Sequence, residues 1–76
     1  MIIKVLGSGC TKCKKLYGNV EAALKESGIA ATLKKVEDIN KIINYGVMMT
    51  PALVIDEDVK SVGKVLNSKD IIKLIS

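Results

Sequence analysis

The sequence predicts an α/β fold in the order β-α-β-α-β-β-α, with a mixed four-stranded sheet and helices on both faces. Three observations carry this expectation. Short β-branched runs alternate with stretches whose apolar residues recur at three- and four-residue steps. The first helical stretch joins two strand-like runs as a βαβ unit, and the crossover rule makes those strands parallel. Two later runs, separated only by an acidic turn, must return antiparallel.

The elements follow in chain order. IIKVL, Ile2 to Leu6, is a β-branched strand ended by the turn Gly7-Ser8-Gly9. From Thr11 to Ser27, residues Cys13, Leu16, Tyr17, Val20, Ala23 and Leu24 form one apolar helical stripe, and Gly28 suits a left-handed C-cap. Gly18 falls on the opposite, solvent side of that helix. IAATLKKVE, Ile29 to Glu37, reads as the second strand, after which Asp38 can cap a short helix that buries Ile39, Ile42 and Ile43 and stops at Gly46. ALVID, Ala52 to Asp56, is a nearly continuous apolar run suited to a central strand covered on both faces. VKSVGKV, Val59 to Val65, returns after Asp56-Glu57-Asp58. Asn67 or Ser68 then caps a last helix with Asp70 in its first turn and Ile71, Ile72, Leu74 and Ile75 inside.

Seventy-six residues are expected to make one domain, 1–76, near the lower size at which a single core suffices. With 49% hydrophobic and 26% charged residues the chain should fold rather than stay disordered, and its apolar runs are too short to span a bilayer. MIIKVLGSG enters a strand-like run at once and lacks the apolar core of a secretory signal, so a cytoplasmic location is expected. The net charge is +4, yet all twelve basic residues are lysine, without the planar fork that reads guanine. Tyr17 and Tyr45 are the only aromatics, too few for a base-stacking platform, so neither nucleic acid nor membrane is an expected partner.

The two cysteines need a chemical explanation, because their spacing closes almost no loop entropy as a structural staple. Cys10-Thr11-Lys12-Cys13 is a C-x-x-C at the start of a helix within a βαβ unit, where this spacing reads as redox-active. One helical turn holds the two Cα atoms about 5–6 Å apart, a separation a disulfide accepts. Cys10 should stand exposed at the helix mouth, and Cys13 on the apolar stripe should be shielded. Ordinary helix starts favour Asp or Glu, whereas this one carries Lys12, Lys14 and Lys15. A Cys10 thiolate would reconcile them. The helix N–H groups and neighbouring ammonium charges, each contributing about 0.5–1 kcal/mol, together bring a thiol from about 8.5 toward neutral pH. Lys12, lying between the cysteines, is the first candidate for that stabilisation; Lys14 and Lys15 read equally well as solvated surface.

The only proline lies in MMTPAL, just before the third strand. C-x-x-C after the first strand and Thr-Pro before the third, together with YGVMMTPALVID and SVGKV, resemble the thioredoxin-fold superfamily over nearly the whole chain. Within it the chain is similar to the small glutaredoxin-like, or thioredoxin-like, redox-active disulfide proteins. The resemblance implies that Thr50-Pro51 is cis, packs beside Cys10 and Cys13, and offers the Thr50 backbone to an incoming peptide as an added strand. Thr50, Pro51 and Met49 are then substrate-binding residues. Met48 and Met49 offer a soft apolar surface to a partner, with at least one of the two expected in the core.

Departures from the family pattern narrow the reading. The tryptophan and Gly-Pro of thioredoxins proper are replaced by Gly9 and Thr11-Lys12, and the acid of their first strand by Lys4. The Pro-Tyr and Gly-Gly of glutathione-using glutaredoxins are also missing, Gly63 and Asp70 being possible remnants of that site. A protein dithiol reductase is therefore the expected electron source in preference to glutathione. The leading expectation is a monomeric, cofactor-free thiol–disulfide oxidoreductase acting on protein disulfides, with Cys10 as nucleophile and Cys13 as resolving thiol. Two other classes stand beside it. One is a redox-sensing or docking module without turnover. The other is a thiolate metal site shared across a dimer, since one chain has no histidine and no third cysteine.

Overall fold

The computed structural model describes residues 1–7 and 11–75. Its elements are β1 (Ile2–Leu6), α1 (Thr11–Ser27), β2 (Thr32–Val36), α2 (Ile39–Asn44), β3 (Ala52–Ile55), β4 (Asp58–Val62) and α3 (Ser68–Ile75). The strands form one sheet in the order β2-β1-β3-β4, with β1 parallel to β2 and both β1–β3 and β3–β4 antiparallel. This is the expected mixed sheet, consistent with a thioredoxin-like fold.

Alternation along the strands divides the core in two. Ile3 and Val5 of β1 and Leu53 and Ile55 of β3 point to one face, where Leu16, Val20 and Ala23 of α1 and Ile71 and Ile75 of α3 cover them. Leu6, Ala52 and Val54 point to the other, under Ile42 of α2 and Val47. All four residues of β3 are buried because both faces of that inner strand are covered. The edge strands β2 and β4 carry Lys34, Lys35 and Lys60, charges that discourage edge-to-edge pairing.

Local chemistry sets the boundaries. Gly28 closes α1 at φ +69° with its N–H on Leu24 O. Asp38 caps α2 by accepting from Asn40 N, and Asn67 caps α3 by accepting from Asp70 N. The β3–β4 connection is a two-residue turn with φ positive at both Asp56 and Glu57, as a type I′ hairpin requires.

Several expectations fail for identifiable reasons. β2 begins at Thr32 rather than Ile29: the parallel register opens with Ile2 opposite Thr32, whose N–H donates to Met1 O at 2.9 Å. β4 ends at Val62 rather than Val65, since Gly63 takes φ +71° and turns its N–H to Pro51 O. Ile39 and Ile43 are exposed, not inside: Ile42 and Val47 already cover Leu6, Ala52 and Val54, and six helical residues cannot press a wider stripe onto the sheet. Leu74 is likewise exposed, as Ile71 and Ile75 make the α3 contact.

Candidate active site

The register explains how two motifs far apart in sequence meet. β1 and β3 run antiparallel with Leu6 opposite Ala52, so the residue leaving β1, Gly7, arrives beside the residue entering β3, Pro51. Cys13 stands in the first turn of α1, and the Thr50-Pro51 peptide bond is cis. Pro51 is fully buried and its carbonyl accepts the Gly63 N–H at 2.8 Å.

Gly7 is the residue that sequence reasoning missed. It is buried, and its N–H donates to Val36 O at 2.9 Å. A Cβ there would collide with Cys13 Sγ, lie 3.0 Å from Cys13 Cβ and 3.8 Å from Thr50 Cβ. Only a residue without a side chain lets α1 approach β1 this closely, so Cys13 Sγ and Thr50 flank one point from two sides. The available signal was a glycine just past a strand, which marks close approach as well as a turn.

The predicted site residues are distributed as follows. Cys13 is 4% exposed and Thr50 is exposed, the two adjoining across Gly7. Lys12, Lys14 and Lys15 are all exposed on α1. Cys10, the predicted nucleophile, lies outside the described residues. Met48 and Met49 are 93% and 63% exposed, so neither joins the core as expected. Val47, just before them, takes the buried place on the sheet, and Met49 instead lies over Gly63, whose Cβ position is 3.3 Å from the Met49 methyl. Beside Thr50, Ile39, Ile43, Val47 and Met48 line an apolar groove of about 340 Å³. Among the described residues, no three His, Cys, Asp or Glu side chains converge as metal ligands.

Lys4 faces the α2 side. Its ammonium donates to Glu57 Oε1 at 2.6 Å and to the Tyr45 hydroxyl at 2.8 Å, and that hydroxyl donates to Glu57 Oε2 at 3.0 Å. Hydrogen bonding to Glu57, then to Tyr45, raises the Lys4 pKa; the bond from Lys4, then that from Tyr45, holds the Glu57 carboxyl below the ordinary range.

Residues 1–76 match the family described as thioredoxin domain. The chain belongs to this family. A thioredoxin of Methanothermobacter thermautotrophicus is 34% identical over 76 residues, spanning all of this chain and 99% of that protein. A thioredoxin of Methanocaldococcus jannaschii is 37% identical over 71 residues, 93% of this chain and 81% of that one. In this thioredoxin domain no helix among the described residues is long and apolar enough to cross a membrane.

Proposed function

We propose that this protein is a thiol–disulfide oxidoreductase that acts on protein disulfides through Cys10 and Cys13. The observation that carries the reading is the setting of Cys13, shielded beneath Gly7 with the exposed Thr50 edge of a cis Thr-Pro bond beside it. A shielded thiol suits resolution rather than first attack, because access governs which thiolate meets a substrate. Membership of the thioredoxin domain family supports the same chemistry.

The reaction balances as two successive exchanges. The Cys10 thiolate attacks one sulfur of the substrate disulfide; that S–S bond breaks, a mixed disulfide forms, and the other substrate sulfur leaves as a thiolate. Cys13, on losing its proton, attacks Cys10 Sγ and releases the second substrate thiolate. Two electrons have passed to the substrate and the protein holds a Cys10–Cys13 disulfide, which an upstream protein reductase returns to the dithiol. The Thr50 main chain pairs with the extended substrate, Pro51 keeps that edge beside Cys13, and Met49 over Gly63 offers an apolar contact. Lys12, exposed one residue before Cys13, favours the anionic form of Cys10.

Trapping tests the assignment. With a disulfide-bearing protein such as insulin, Cys13→Ser should accumulate a covalent mixed disulfide on non-reducing gels, and Cys10→Ser should not. Lys12→Gln should move the pH midpoint of Cys10 alkylation upward. Equal silence of both cysteine variants, or trapping by Cys10→Ser alone, would overturn the mechanism.

A further inference from the structure

The face of the sheet under α2 carries a second site that thiol exchange does not use. With only six residues, α2 covers the end of the sheet nearest Gly7, and beyond it opens a cleft of about 690 Å³, within the range of small-molecule sites. Its walls come from four elements: Lys4 on β1, residues 34–36 on β2, Lys41 and Asn44 on α2, and Val59 on β4. Tyr45 lines it where α2 ends.

The charges around this cleft do not balance. Glu57 is its one carboxylate, and Lys4 takes that carboxylate in a 2.6 Å ion pair. The only other ion pair among the described residues joins Lys60 to Asp58. The Lys35 ammonium lies over the Tyr17 ring of α1, 5.2 Å from its centroid, so Lys34 and Lys41 are the cleft lysines with no carboxylate partner there. Lys4 and Lys34 are also direct cross-strand neighbours in the β1–β2 register, an arrangement in which like charges oppose sheet formation. Glu57 compensates Lys4 in that pair, which leaves Lys34 as the charge open to a ligand. The smaller groove between β4 and α3, of about 480 Å³, makes the contrast. It too is lined by lysines, Lys60, Lys64 and Lys73, but Asp70 lines it with them and Asp58 is paired to Lys60.

We infer that the α2 cleft binds an oligophosphate group, of two or three phosphates, on a small molecule. The two surplus ammonium charges, of Lys34 and Lys41, suit successive phosphates of a di- or triphosphate, and lysines converging from separate elements act as point-charge donors to phosphate oxygens. The cleft is concave and sized for a small molecule, which favours such an anion over an acidic protein surface. Asn44 adds an amide donor, whereas Tyr45 has its hydroxyl committed to Lys4 and Glu57 and serves as a fixed wall.

The test is titration of the intact protein with sodium triphosphate and with ATP at low ionic strength, read by calorimetry and by amide NMR shifts. Saturable binding is expected, with shifts confined to the cleft residues 4, 34–36, 41–45, 57 and 59 and an affinity that falls as salt is added. The exposed pair Lys34→Gln/Lys41→Gln should weaken triphosphate binding by about tenfold or more, with circular dichroism confirming an unchanged fold. Lys64→Gln/Lys73→Gln, in the other groove, should leave it within about twofold. Equal affinity for triphosphate and ATP assigns recognition to the phosphates alone; tighter ATP binding adds a contribution from the nucleoside. Absence of saturable binding, equal loss in both double variants, or a poly-glutamate peptide binding more tightly than triphosphate would overturn the inference.

Discussion

Replacing Gly7 with alanine isolates the contact on which the candidate active site is built. The new Cβ would overlap Cys13 Sγ and stand 3.0 Å from Cys13 Cβ. Rotating Cys13 about χ1 moves only the sulfur, at about 0.5–1.5 kcal/mol if it leaves a staggered well. The Cβ–Cβ contact remains, because the first atom of the side chain is fixed by the α1 backbone, so helix and strand must separate by a few tenths of an ångström. Overpacking of this kind costs about 1–3 kcal/mol, while the loss of glycine freedom in the unfolded chain returns about 0.4–1 kcal/mol. The net expectation is a loss of about 2 kcal/mol, or roughly 8–16 °C in Tm for a domain of this size. Gly18→Ala is the internal control: that glycine lies in α1 with nothing within 4 Å of its Cβ position, so the same substitution should stabilise by about 0.5–1 kcal/mol. Both are measured by thermal and urea unfolding under reducing conditions, in wild-type and Cys13→Ala backgrounds. The Gly7→Ala penalty should shrink by about 1 kcal/mol when the sulfur is absent, a coupling expected of residues in contact. A penalty below about 0.5 kcal/mol, or one identical in the two backgrounds, would refute the close-approach argument.

Two further outcomes follow from the α2 side of the sheet. Because the folded-state pKa of Glu57 is depressed by Lys4 and then Tyr45, its contribution is present above the unfolded value of about 4.3 and lost as pH falls through the folded one; the stability gap between wild type and Glu57→Gln, measured by urea unfolding, should therefore be constant near neutrality and close below about pH 4, and a gap unchanged down to pH 3 would falsify the pairing. Ile42→Ala should cost about 2–4 kcal/mol, whereas Ile43→Ala, one residue on but exposed, should stay within about 0.5 kcal/mol by the same assay; comparable losses would mean that both isoleucines pack on the sheet.

The frame of the fold was legible because its signals are local. Periodicity placed α1 at Thr11–Ser27 and the strand IIKVL at Ile2–Leu6, the bounds they have in the structure. Errors arose where a boundary depends on a distant partner. Nothing within IAATLKKVE tells that pairing starts at Thr32, since the limit is set by the first paired residue of β1. Ile39 and Leu74 fit an apolar stripe equally well on paper, yet the width of a stripe that reaches the core is fixed by what the sheet presents beneath it. Met48 and Met49 misled for the opposite reason. At least one of two consecutive methionines reads as core filler, but Val47 fills the place on the sheet and leaves both methionines exposed.

The candidate site shows the same division between side chains that announce themselves and backbone that does not. C-x-x-C and Thr-Pro are visible because their chemistry is unusual. What brings Cys13 and Thr50 together is the β1–β3 register and the bare backbone of Gly7, and two main-chain bonds, Gly7 N–H to Val36 O and Gly63 N–H to Pro51 O, tie the flanking strands there, each made by a glycine. At Gly63 the need is conformational as well as steric, for φ is +71° and Met49 occupies the space a side chain would take. At Gly7 it is steric alone. A substitution at either glycine removes no reactive group, yet it would displace the shielded sulfur from Thr50 or the Met49 surface from Pro51. Sequence identifies the atoms that could react; these two glycines determine whether the fold can bring them within reach of one another.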